Sequence, residues 1–169
     1  MNPLETTFSR RGAAKDEDIK CRETLLIDID RVGKTDEPAT DAEVEHAKSL
    51  AMQIQAHLTD RGWPDPLRMM SGNGYHLYYI LECLPNTTES NRMVKDALNE
   101  LASKFDNNTV SVDTNVYNAS RITKVPGTIM RKGLESAGRP YRMAEVCDVR
   151  PNQYSERFDL FFCIRLTDQ

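Results

Sequence analysis

The order in which two hydrophobic periods alternate along the chain constrains its fold more than any other feature. A compact β-type run, TLLIDID from Thr24 to Asp30, comes first. A helical period follows from Thr40 to Asp60, where Val44, Ala47, Ala51, Ile54 and Leu58 recur at three- and four-residue steps. Its start is written as a capping box, Thr40-Asp41-Ala42-Glu43, and Gly62 with Trp63-Pro64 stops it. Leu67–Met70 and Tyr75–Leu81 are two more β-type runs, joined by the hairpin signal Ser71-Gly72-Asn73-Gly74. A second amphipathic helix is expected from Ser90 to Phe105, burying Met93, Val94, Ala97, Leu98, Leu101 and Phe105. Beyond it, Val110–Asp113, Arg121–Val125, Ile129-Met130 and Tyr141–Val146 read as strands, and Phe158–Leu166 fits helix or strand equally. Strand, helix, hairpin, helix and then several strands describe one α+β domain with helices packed on a sheet.

The 169 residues suit a single domain, placed at 23–169. The polar stretch 1–22 reads as a leader or a truncated N-terminal region. No run approaches the roughly 18–20 apolar residues of a membrane span, and the N-terminus lacks the apolar segment of a secretory signal. Cys21, Cys83, Cys147 and Cys163 are scattered singly without a CxxC pair. Neither a zinc ribbon nor a disulfide framework is therefore expected, and free thiols in a reducing cytoplasm are. The formal charge of −4 argues at first against a nucleic-acid partner. Resolved by position it does not: residues 121–142 hold six Lys or Arg against Glu135 alone, while 35–60 hold six acids against Lys48 alone. The average hides a basic segment and an acidic helix face.

Three clusters carry candidate chemistry. Asp28 and Asp30 end a strand at i and i+2, so both carboxylates emerge on one face. They repel unless a cation sits between them, and hard oxygen ligands suit Mg²⁺ or Mn²⁺. Ser71, Gly72, Asn73 and Gly74 could bring backbone N–H groups close to an anion, and His76 follows just inside the next strand, facing away from Tyr75, Leu77 and Tyr79. Asp113 ends another strand and could complete a two-metal carboxylate site. Arg121 and Lys124 follow within reach of a phosphate-bearing ligand. The plainer alternatives are an acidic strand end, a turn with a hydrogen-bonded histidine, and a solvated basic edge strand. For Arg131, Lys132, Arg139 and Arg142 that edge and phosphate contact stand level. Walker A, GxGxxG, HExxH and serine-hydrolase patterns are missing, which leaves metal-dependent phosphoryl or nucleotidyl transfer as the best-fitting chemistry.

In combination, LLIDID, SGNGYHLYY and VSVDTNVYNASRITKVPGT, with RKG and RPYR behind them, resemble the archaeo-eukaryotic primase superfamily. The closest likeness is to the primase-polymerase (prim-pol) domains of plasmids, phages and mobile elements, over about Lys15 to Val146. The resemblance implies a two-layer α/β core with a sheet like an RNA-recognition motif. It implies two divalent ions, Mg²⁺ or Mn²⁺, on Asp28, Asp30 and Asp113. His76 and the 71–74 backbone would contact the phosphates of the incoming nucleotide, and Arg121, Lys124 and Lys132 would hold the triphosphate. The implied reaction is DNA-templated addition of nucleotides to a 3′-hydroxyl, with nucleoside triphosphates and single-stranded or primed DNA as partners. A replicative helicase or accessory domain belongs to the same expectation. Without paired Cys or His ligands for an accessory zinc region, primer extension is expected more than de novo priming. A non-catalytic nucleotide- or nucleic-acid-binding module, and another two-metal enzyme such as a cyclase or nuclease, are the competing readings.

Overall fold

The computed structural model describes residues 2–5, 12–33 and 36–147. Strand β1 runs Cys21–Arg31, helix α1 Asp41–Thr59, β2 Leu67–Met70, β3 Tyr75–Pro85, α2 Thr88–Phe105 and β4 Val110–Val112. Three short strands follow: β5 Ile129–Met130, β6 Arg142–Met143 and β7 Glu145–Cys147. The expected run Phe158–Leu166 lies outside the described residues, as does Cys163. Among the described residues no helix is long and apolar enough to cross a membrane.

One antiparallel sheet has the order β4-β1-β3-β2-β7, and β5 and β6 form a separate pair. With α1 after β1 and α2 after β3, the first four strands make the split βαββαβ arrangement. Central β1 therefore has neighbours on both sides. Its odd residues Leu25, Ile27 and Ile29 face the helices with Tyr75, Leu77, Tyr79 and Leu81 of β3, and all seven are buried. The helices answer with Ala47, Leu50, Ala51, Ile54 and Leu58 of α1 and Val94, Leu98 and Leu101 of α2. Trp63 closes one end, packed edge-on against Tyr79 at 5.2 Å between ring centres. Each fully buried aliphatic side chain of this kind contributes about 1.5–3 kcal/mol.

The helix ends follow their sequence signals. Thr40 Oγ1 accepts from the Glu43 N–H and Glu43 Oε2 accepts from the Thr40 N–H, closing the expected capping box. Helix α2 starts at Thr88, two residues earlier than its apolar period indicates, because Thr87 Oγ1 caps the Ser90 N–H.

Two expectations are corrected. Residues 121–125 form no strand: they run as an irregular strap with Ile122 and Val125 exposed and Thr123 bonded to Tyr78 on β3. The strap crosses the face of the sheet, so it pairs with neither edge. Secondly, Cys21 and Cys83 are joined as a disulfide, their Cα atoms 5.6 Å apart on paired strands β1 and β3. Free thiols in a reducing compartment do not describe this pair. The sequence separation of 62 conceals it, since only the β1–β3 pairing makes the two positions neighbours. Cys147 is a thiol, its Sγ 3.1 Å from the Tyr75 hydroxyl.

The N-terminal residues that are described are tied to this domain. Asn2 Oδ1 accepts from the Glu23 and Thr24 N–H groups, Ile19 is buried, and Asp16 Oδ1 accepts from the N–H and hydroxyl of Ser120.

Candidate active site

The even residues of β1 point to the face away from the helices. Register places Asp28 opposite His76 and Leu26 opposite Tyr78, while Asp30 lies opposite Ser111 of β4. Asp28 and Asp30 thus share one face, as their spacing predicts. The β2–β3 turn arches over them at Gly74. A Cβ there would sit 2.2 Å from the Ile29 carbonyl and 2.5 Å from Asp30 Oδ1, so only glycine allows this approach.

His76 is buried and fixed from both sides. Its Nε2 lies 3.1 Å from Asp28 Oδ1, at ion-pair distance but without hydrogen-bond geometry, and among the described residues Asp28 Oδ1 has no hydrogen-bond partner. Its Nδ1 is 2.8 Å from the Tyr78 hydroxyl, which is 2.6 Å from Thr123 Oγ1. Burial pushes the Tyr78 hydroxyl up to about 12, with the Asp28 charge adding to it against the Thr123 hydrogen bond. Tyr78 therefore stays protonated and holds the imidazole in place.

Electrostatically the site is short of positive charge. The Asp30 carboxyl is pushed up to about 6, first by burial and then by the neighbouring charge of Asp28. His76 and Lys132 pull the other way, and Asp113 adds to the rise. Asp28, Asp30, His76, Lys132 and Asp113 therefore share one electrostatic neighbourhood.

Asp113 reaches that neighbourhood through the backbone: its N–H donates to the Asp28 carbonyl at 2.8 Å. Its Oδ1, however, accepts from the N–H and side-chain amide of Asn115, at 2.8 and 3.1 Å. The turn residues are engaged too. The Ser71 N–H donates to the Gly74 carbonyl, the Gly72 N–H to Met70 Sδ and the Gly74 N–H to Ser71 Oγ, while Asn73 Oδ1 accepts from the Ala39 N–H. Arg121 and Lys124 lie on the strap, either side of Thr123, with their heads on the carbonyls of Asn115 and Ile129. Lys132 is exposed beside Asp30.

Arg139 and Arg142 turn out to be structural. Glu43 receives Arg31 at 2.9 Å and Arg139 at 2.8 Å, and Arg142 bonds Asp41 at 2.6 Å and the Ala39 carbonyl at 2.7 Å. These contacts fasten the 129–143 hairpin to the start of α1. Tyr78 and Thr123 are the members that motif reading misses. Tyr78 was accessible from its two-residue spacing to His76; nothing in the sequence marks Thr123.

Among the described residues no three His, Cys, Asp or Glu side chains are drawn together closely enough to hold a metal ion. Asp28 and Asp30 nevertheless fit a hard cation: they are paired oxygen donors, one with a buried oxygen lacking a hydrogen bond among the described residues and one whose carboxyl is raised by burial and by its neighbour's charge. A third carboxylate could come from Asp113, whose Asn115 contacts engage Oδ1 alone. Compared with known proteins, the chain matches no family model, and no curated protein or solved structure matches it.

Proposed function

We propose that this α+β domain is a metal-dependent nucleotidyltransferase of the prim-pol kind, adding nucleotides from nucleoside triphosphates to a 3′-hydroxyl on a DNA template. On this reading the sheet is the RNA-recognition-motif-like layer of a prim-pol core. The observation that carries it is the convergence of Asp28, Asp30 and His76 on the sheet face that the helices leave uncovered. A binding surface for phosphate has no use for two half-buried carboxylates unless cations accompany them.

Asp28 and Asp30 would hold Mg²⁺ or Mn²⁺, with Asp113 as the third carboxylate. Bound there, a divalent ion supplies charge neutralisation and lowers the pKa of the attacking hydroxyl. The chain's own residues do the rest. His76, held through Nδ1 by Tyr78, would present Nε2 to a phosphate oxygen. Lys132, on the Asp30 side, and Arg121 and Lys124, on the strap, neutralise the triphosphate. The 3′-oxygen bonds to the α-phosphorus as the bond from that phosphorus to the bridging oxygen breaks; the hydroxyl proton passes to solvent water and pyrophosphate leaves with the bridging oxygen.

Extension of a labelled primer on a DNA template, with Mg²⁺ or Mn²⁺, tests this. Asp28→Ala with Asp30→Ala is expected to abolish extension to at least the roughly 10²–10³-fold level typical of losing one electrostatic stabiliser. Equal extension by the two proteins overturns the proposal. One observation favours a second reading, a non-catalytic nucleotide- or nucleic-acid-binding module: Asp113 Oδ1 already accepts two hydrogen bonds from Asn115. Nucleotide binding that ignores a chelator, with no extension by the wild type, selects that module instead.

A further inference from the structure

Asp16 stands just ahead of β1, outside the strands and turns that carry the site, yet its carboxylate gathers the segment that leads into the strap. Asp16 Oδ1 accepts from the Ser120 N–H at 2.8 Å, the Ser120 hydroxyl at 2.7 Å and the Asn118 amide at 3.4 Å. Hydrogen bonds to an ionised acceptor are roughly twice as strong as neutral ones. Burial would raise the Asp16 carboxyl, but the Ser120 and Asn118 hydrogen bonds and the Arg22 charge outweigh it and hold it below the usual carboxylate range. We propose that Asp16 is a positioning residue: through Ser120 it holds Arg121 where the triphosphate would lie. The assignment rests on the nucleotidyltransferase reading and adds what fixes the strap over the site.

The strap is fastened at two points, and Arg121 lies between them. On one side Ser120 is held by Asp16, and the Ala119 carbonyl accepts from the Asn2 amide at 2.9 Å. On the other, Thr123 Oγ1 is 2.6 Å from the Tyr78 hydroxyl on β3. The Arg121 guanidinium donates to the Asn115 carbonyl and its N–H to the Asn118 carbonyl, so its place depends on the backbone of this one segment. The Asp16 anchor is itself fixed to the sheet. The amide of Asn86, the residue after β3, donates to the Asp16 and Ile19 carbonyls at 2.6 and 2.9 Å.

The two anchors serve different parts of the site. Thr123 and Tyr78 hold His76, and their bond does not involve Asp16. Losing Asp16 therefore displaces Arg121 and leaves the imidazole and the carboxylates of β1 in place. The triphosphate carries its charge before and during the reaction, so a displaced Arg121 weakens binding common to both states. Such a loss raises KM and leaves kcat little changed.

Steady-state primer extension at varied nucleoside triphosphate concentration tests the assignment. Asp16→Ala is expected to raise KM for the nucleotide about tenfold, or about 1.4 kcal/mol, with kcat close to that of wild type. Asp16→Asn keeps an acceptor oxygen for Ser120 and should restore most of the affinity. Ser120→Ala loses the hydroxyl but keeps the N–H, so a smaller rise is expected, and it carries the test if Asp16→Ala does not fold. In an Arg121→Ala background Asp16→Ala should add nothing, because the residue through which it acts is gone. An unchanged KM, a loss confined to kcat, or a full further rise in the Arg121→Ala background overturns the positioning role and leaves the nucleotidyltransferase reading standing. Absence of extension by wild type overturns both.

Discussion

The two faces of the β1–β3 strand pair are written by alternate residues of the same sequence and have opposite physical characters. On the helix side Ile27, Ile29, Leu77 and Tyr79 are fully buried among apolar neighbours, and burial of their apolar surface favours folding. One residue along, the other face carries Asp28, Asp30, His76 and Tyr78: paired anions, an immobilised imidazole and a protonated hydroxyl. The second face works against stability, since Asp30 is buried beside a like charge. Proteins keep such arrangements where chemistry needs them, at a cost in stability that the rest of the fold offsets. The first face explains why the domain folds; the second is the one to which the proposed function is assigned.

Substitutions on the two faces should therefore move stability in opposite directions. Leu77→Ala removes a fully buried side chain from the helix face and is expected to cost about 2–5 kcal/mol in denaturant unfolding. A loss below about 1 kcal/mol would mean that this face is not the core.

The next effect separates the two acidic environments by pH. Burial alone would raise the Glu43 carboxyl, but the Thr40 N–H and the Arg139 and Arg31 guanidinium groups outweigh it and hold it at about 2. A carboxyl lowered on folding stabilises above its unfolded value, near 4.5, and loses that contribution as pH falls toward 2. With 28 % of the side chain exposed, the contribution is on the order of 2 kcal/mol. Unfolding midpoints of wild type and Glu43→Gln should differ at pH 6 and converge only as pH falls through about 2. A constant difference across that window would show that the Arg31–Glu43–Arg139 clamp is not electrostatic.

Asp30→Asn gives the smallest effect and the opposite sign. Removing a buried like charge is expected to raise stability by about 1 kcal/mol at pH 7 in the presence of chelator. A drop in the melting temperature would show that Asp30 is already compensated, and the contrast between the faces would fail.

Much of this contrast is legible in local sequence, because it rests on local periods. A strand's two-residue repeat is enough to put Asp28 with Asp30, and the capping box at Thr40 and the turn at Ser71–Gly74 stand where their residues indicate. What sequence hides is partnership at long range. Arg139 and Arg142 read equally as a solvated basic edge or as phosphate contacts until Glu43 and Asp41, about a hundred positions away, are seen to take them. Cys21 and Cys83 look unrelated until β1 and β3 pair. Arg121–Val125 has a strand's composition, yet its place over the face gives it no ladder to join.

The most direct measurement is Mn²⁺ binding followed by electron paramagnetic resonance, in wild type and in Asp28→Asn with Asp30→Asn. Wild type should quench the free-ion signal saturably, and the double variant, with its fold verified by circular dichroism, should not. Equal quenching by the two proteins would place the cation elsewhere and contradict the assignment of this face.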